Sequence, residues 1–255
     1  MRTLLSLFSL SSCLLLANAH GADITRIDAH TLLLKGAIER GDDAKLEKMY
    51  TPGTTLLKVR SVGGDSEAGI LMGSFIHDKN LDLEVVGGCA SSCANYLFPA
   101  ARHKTIPAGA VLGFHGTLTL TALAGKEEMR RQFTASGMPP DEVEKQLPVM
   151  VEYVNRIARM ESEFVARIGV NPQFYRDFKT IAENADAVEK QYASKQVEPL
   201  WWPSSERLAA CYGVRGVTDL GRPAALDSVG HALDETHGQL HLLLLGDQPL
   251  PRCGK

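Results

Sequence analysis

Three short breaks in the apolar pattern carry residue types that do chemistry together: Gly63-Gly64-Asp65, Cys89-Ala90-Ser91-Ser92-Cys93 and Gly113-Phe114-His115. Each follows an apolar run. A serine hydroxyl can attack a carbonyl carbon, and an imidazole can take its proton. Backbone N–H groups beside glycine can hold the oxyanion that forms. That set suffices for acyl transfer. Taken singly, each break has a plain structural explanation. Gly63-Gly64 reads as a strand-to-helix turn, Ser91 as a helix N-cap, and His115 as a half-exposed strand end. Ser91 does not sit in a G-x-S-x-G elbow, and Ser92 is a rival nucleophile one position away.

The elements around these breaks alternate. Residues 30–35 read as a strand ending at Gly36, and residues 42–50 as a helix with Leu46 and Met49 on one face. A strand over 55–60 leads to Gly63-Gly64, and a helix with a broad apolar face comes next over 65–77. A third strand spans 81–86. Gly87-Gly88 then opens the cysteine-serine turn, and a helix runs from about 92 to 99. Residues 111–115 form the next strand. Such alternation predicts a parallel sheet with helices on its faces. The three breaks then share the carboxyl edge of the sheet, where open α/β sheets place their sites.

Beyond His115 the pattern turns helical. Residues 126–169 are charged and helical with a break at Gly137-Met138-Pro139-Pro140, and polar helix continues over 171–193. Trp201-Trp202-Pro203 marks a stop. Ser204-Ser205-Glu206 starts a capped helix that ends at Tyr212-Gly213. The last thirty residues are less regular. Among them His241–Leu245 is apolar but short.

Residues 1–19 read as a cleavable leader: a basic start, an apolar run from Leu4 to Leu16, and the small-x-small end Ala17-Asn18-Ala19. Leu10-Ser11-Ser12-Cys13 loosely resembles a lipoprotein box, but Leu14-Leu15-Leu16 continues the apolar core past Cys13. No later run reaches the length of a membrane span, so the reading is a soluble periplasmic or secreted protein. The leader carries one arginine and no acid, so its removal takes the formal net charge from −3 to −4. That balance suggests neither a nucleic-acid partner nor an anionic membrane surface. The remaining chain has room for one α/β domain over 20–225 with a tail over 226–255.

The residues and order of Arg60-Ser-Val-Gly-Gly-Asp65, Cys89-Ala-Ser-Ser-Cys93 and Gly113-Phe-His115 resemble the Clp protease proteolytic subunit superfamily, the ClpP/crotonase fold. The chain is most similar to the exported, single-chain, ClpP-like bacterial branch. The match runs from about His30 to Thr218. It includes Gly36-Ala-Ile-Glu-Arg-Gly41 and the stretch from Ser204 to Val214. The resemblance implies a spiral β-α-β core with a parallel sheet and a helical C-terminal part. It also implies serine hydrolysis of a peptide or protein substrate without cofactor, and self-association. It makes Ser91 the nucleophile and His115, 24 residues later, the base. The N–H groups of Gly64 and Ser92 become the oxyanion donors. Two departures stand out. The usual Ser-Pro-Gly-Gly is Ser61-Val62-Gly63-Gly64. Where the orienting acid is expected, the chain has Leu200-Trp201-Trp202. Glu198 is the nearest carboxylate and Asp177 a more remote one; otherwise the site works as a dyad. The competing readings are a binding module that has lost turnover and an acyl-CoA enzyme on the same fold. Export from CoA pools and the Ser–His pair disfavour the second.

Four cysteines lie beyond the leader: Cys89, Cys93, Cys211 and Cys253. Three full pairings exist, and the sequence does not choose among them. The Cys-x-Ser-x-Cys arrangement is common in the branch that the chain resembles, where a bridge between Cys89 and Cys93 would lock the nucleophile turn. Two separate buried thiols are the alternative. Cys211 with Cys253 would pin the tail to the last helix. His231, His237 and His241 lie near Asp234 and Glu235, but with no H-E-x-x-H pattern or cysteine pair they read as a solvated face rather than a metal site. Gly63-Gly64 lacks any nucleotide fingerprint.

Overall fold

Period-two burial makes the strands. In β3 (Leu56–Ser61) the side chains of Leu57, Val59 and Ser61 are buried while their neighbours are half-exposed. The computed structural model describes residues 21–189, 197–220 and 241–253; side chains at 184–189, 197–198 and 241–243 lie outside that description. Around β3 the chain builds β1 (Asp23–Arg26), β2 (Thr31–Lys35), α1 (Asp42–Met49), α2 (Ser66–Asp78) and β4 (Asp82–Ala90). A one-turn π-helix (Cys93–Leu97) and α3 (Phe98–Ala100) come next, then β5 (Lys104–Ile106) and β6 (Val111–Gly113).

The main sheet has the order β1-β2-β3-β4-β5-β8, where β8 is Val217–Asp219, and β6 also pairs β4. Every pairing is parallel except β1 with β2. The fold is therefore mixed α/β with a mostly parallel sheet, as the alternating pattern predicts. One boundary differs. β4 does not stop at Val86 but runs through Gly87-Gly88 to Ala90. The register with β3 jumps from Val59↔Val85 to Ser61↔Cys89, so the glycine pair sits in a bulge rather than a turn. The extended strand serves β5 with Leu83 and Glu84 and β6 with Gly88, Cys89 and Ala90.

The helical part comprises α4 (Leu118–Ala124), α5 (Lys126–Ala135), the 29-residue α6 (Pro140–Ile168) and α7 (Gln173–Glu189). The break at 137–140 falls between α5 and α6 as the sequence indicates. Met129, Phe133, Val143, Leu147 and Val154 form a small second core there. Strand β7 (Val197–Trp201) has no local signal in the sequence. It pairs in parallel with β9 (His241–Leu245) and touches the main body through a bridge between Trp201 and Phe114. Between them α8 (Ser205–Tyr212) is capped by the Ser204 hydroxyl and ends at Gly213. Among the described residues no helix is long and apolar enough to cross a membrane.

At the amino edge of the sheet Lys104 is buried and donates to the Arg215 carbonyl at 2.8 Å. Desolvation pushes its amine down to about 8.

Candidate active site

Ser91 is the first residue past β4, and its backbone lies in the left-handed region at φ 53°. For a non-glycine residue that conformation is strained. The turn is held on both sides. The Ser91 N–H donates to the Gly113 carbonyl at 3.0 Å, and its own carbonyl accepts from Asn95 N–H at 2.7 Å. Ser91 remains half-exposed, whereas Ser92 is 2% exposed and donates its hydroxyl to the Gly64 carbonyl at 2.7 Å. The two neighbouring serines thus differ in kind. Ser92 is a structural tie, and Ser91 is the accessible one.

Gly63 and Gly64 fit against this turn because they lack a Cβ. One built on Gly63 would lie 2.5 Å from Ser91 Cβ and 2.6 Å from Ser92 N, and φ is +88°. One on Gly64 would strike the Ile38 carbonyl oxygen at 2.1 Å. Ile38 occupies one edge of this segment: its N–H donates to the Gly63 carbonyl and its carbonyl accepts from Asp65 N–H, both at 2.7 Å. The Gly64 amide is therefore left on the edge that faces Ser92. Among the described residues neither the Gly64 nor the Ser92 N–H donates to a protein acceptor. Asp65 caps α2 by accepting from Ala68 N–H at 2.8 Å. Gly69 and Gly73 then let α2 lie close on the Tyr96 ring and carbonyl.

The third break comes to the same place. Ala90 pairs with Gly113, so His115 lies two residues past the ladder's last pair, on the strand next to Ser91. Its ring Nδ1 is 3.0 Å from the Gly116 carbonyl oxygen. A carbonyl only accepts, so Nδ1 carries a proton, as it does in the tautomer that a general base needs. The Asn95 side-chain amide donates to the His115 carbonyl at 3.3 Å, and Phe178 packs edge-on against the ring.

Of the two candidate acids, one falls elsewhere. Asp177 accepts from Tyr212 OH at 2.6 Å and from the Gln173 amide at 2.5 Å, in a separate pocket of about 420 Å³ beside Cys211 and Cys253. Burial and that acceptor push the Tyr212 phenol up. Glu198 lies in β7, three residues before Trp201, whose backbone exchanges two hydrogen bonds with Phe114 at 2.7 and 2.8 Å. Its side chain is outside the described residues, as are His231 and His237 and the side chain of His241. No cluster able to hold a metal occurs among the described residues.

Both cysteine pairs lie at disulfide distance. Cys89 and Cys93 have Cα atoms 5.3 Å apart across the Ser91 turn, and Cys211 and Cys253 are also 5.3 Å apart. The pairing choice that the sequence leaves open is thereby resolved.

One residue near the site is not among those that the sequence motifs single out. Glu161 of α6 is 1% exposed and accepts from the Tyr96 and Thr119 hydroxyls and from Thr119 N–H at 2.9 Å. Burial and the Glu161 charge push the Tyr96 phenol well up, so it stays a donor. The signal for it is its phase: Glu161 sits in the apolar stripe of Val154, Ile157 and Phe164 at helical spacing.

No protein-family model matches the chain, and no curated protein does. Among solved structures, an enoyl-CoA hydratase from Mycobacterium avium subsp. paratuberculosis K-10 is similar at 13% identity, over 66% of this chain and 95% of that one, with a TM-score of 0.29. A likeness of that size carries no activity across.

Proposed function

We propose that the chain is an exported ClpP-like serine hydrolase that cleaves peptide bonds. The observation that carries this reading is the strained, half-exposed Ser91 one strand away from an imidazole that carries a proton on Nδ1. Ser91 Oγ attacks the carbonyl carbon while His115 Nε2 takes the hydroxyl proton and later delivers it to the leaving amine. The Gly64 and Ser92 N–H groups hold the oxyanion. No cofactor or metal takes part. Glu198, carried on β7, is the candidate to orient His115. The reading includes a leader over 1–19, a catalytic domain over 20–225 with a spiral ClpP/crotonase-like core, a tail over 226–255, and self-association in an oxidising compartment.

A second reading has one observation in its favour. Leu200-Trp201-Trp202 stands where the orienting acid is expected, and the Asp177 carboxylate is taken up by Tyr212 and Gln173. This reading makes the protein a slow hydrolase or a peptide-binding module. A fluorophosphonate probe separates the two. Labelling of the wild type and of Ser92→Ala, but not of Ser91→Ala, supports hydrolysis. Folded wild type that stays unlabelled across the neutral range supports the binding module.

A further inference from the structure

A carboxylate buried without a cation is costly, because transfer from water favours neither its charge nor its unmet acceptors. Glu161 is such a group. Among the described residues no lysine or arginine pairs with it, and all its partners are hydroxyl or amide donors. A leucine would complete the stripe of Val154, Ile157 and Phe164 more cheaply. What the carboxylate adds is its pair of oxygens, each bound to a different segment. Oε1 takes the Tyr96 hydroxyl, from the π-helix just past Ser91. Oε2 takes the Thr119 N–H and hydroxyl, from the first turn of the helix just past His115.

We propose that Glu161 is a positioning residue that sets the spacing and orientation of Ser91 and His115 by tying their downstream segments to one rigid helix. The inference rests on the serine-hydrolase reading. Glu161 touches no reacting atom; it acts through Tyr96 and Thr119. A second tie runs alongside, from Tyr175 OH to the Asn95 carbonyl at 2.6 Å and from the Asn95 amide to the His115 carbonyl. Both ties end on the stretch between Ser91 and Leu97, so the geometry of the pair is set from the helical side of the fold.

Full-length mature protein would be compared as wild type, Glu161→Leu, Glu161→Gln and Glu152→Gln, the last an exposed carboxylate on the same helix. The readouts are the limiting rate and half-saturation of fluorophosphonate labelling, and the ¹⁵N shifts of the His115 imidazole assigned with His115→Gln. Glu161→Leu should lower the limiting rate by about 10²-fold, the cost of a misplacement near 1 Å, with half-saturation within about twofold. It should also move the His115 nitrogen signals. Glu161→Gln, which can satisfy one segment but not both in the same way, should fall between, and Glu152→Gln should match wild type. If Glu161→Leu does not fold, Thr119→Val and Tyr96→Phe each cut one tie and should show smaller losses of the same kind. Unchanged labelling with unmoved His115 signals in folded variants overturns the proposal. If wild type is never labelled, the hydrolase reading fails, yet the His115 signals still decide the positioning claim: movement in Glu161→Leu supports it, and identity with wild type overturns it.

Discussion

The Ser91 turn is spanned by a bridge between near neighbours in the chain, whereas the strand end that carries His115 leans on segments that arrive much later. The serine turn is framed by β4, Gly63-Gly64 and the π-helix, and is spanned by a bridge of sequence separation 4. Phe114, beside His115, leans on Trp201 of β7, which pairs with β9, and the segment beyond β9 returns to α8. There Asp247 accepts from the Ser204 N–H and hydroxyl, Arg207 donates to the Leu250 and Pro251 carbonyls, and Cys253 meets Cys211 at separation 42. A local frame is fixed as soon as it folds. The distant one couples the base to the end of the chain.

Breaking the two cysteine pairs separately tests this difference most strongly. Loop-closure entropy assigns about 4 kcal/mol to the pair at separation 42 and about 2 kcal/mol to the pair at separation 4. Urea unfolding of Cys211→Ala/Cys253→Ala against Cys89→Ala/Cys93→Ala should give that order, while probe labelling slows more when the turn pair is lost. The reverse order of stability would sink the contrast between local and distant frames.

Gly63→Ala should cost about 3 kcal/mol and abolish labelling, combining left-handed strain with overpacking against Ser91 and Ser92. Gly41→Ala is the matched comparison, since φ there is +94° but nothing lies within 4 Å of the added carbon. It should cost about 1 kcal/mol and leave labelling intact. Equal losses at both positions would mean that the close fit at Gly63 contributes nothing.

Lys104 opens β5, outside the Ser91 and His115 turns, and gives a baseline. Below pH 8 its amine is protonated in both states. Between about 8 and 10.5 the unfolded chain keeps a proton that the native chain has released, so stability rises through that window and levels above it. The rise should be about 3 kcal/mol and should vanish in Lys104→Met when unfolding is followed against pH. A pH-independent wild type would contradict it. The smallest effect is a gain: Ser91→Gly should be about 1 kcal/mol more stable than Ser91→Ala by thermal unfolding, because glycine accepts φ 53° without strain. Equal stability would show that the turn stores no strain.

The same division governs what the sequence reveals. Strands β2 and β3 and helices α1 and α2 come from local periodicity, and Ser91 and His115 stand at the ends of such runs. Sequence alone cuts β4 short at Val86, because a glycine pair inside a bulge looks like one inside a turn. β7 is invisible locally because its partners, Phe114 and His241–Leu245, lie far away in the chain, and nothing within 197–201 announces them. Trp201-Trp202 marks a stop in the sequence, and in the fold Trp201 packs on Phe114 and Phe174. Glu161 is hidden by its type, since an acid on a charged helix passes for surface until its phase is counted against Val154, Ile157 and Phe164.

The π-helix after Ser91 sets how the chain can change in length. Its wide turn, closed by the Phe98 N–H on the Cys93 carbonyl, holds one residue more than an α-turn would. Deleting Ala94 would move Asn95 and Tyr96 one position back along the helix, about 100° round its axis. Asn95 would then leave His115, and Tyr96 would leave Glu161. Residue count here is as restrictive as residue identity, whereas the open turns at Gly125 and Gly137, with nothing within 4 Å of an added Cβ, have room for insertions.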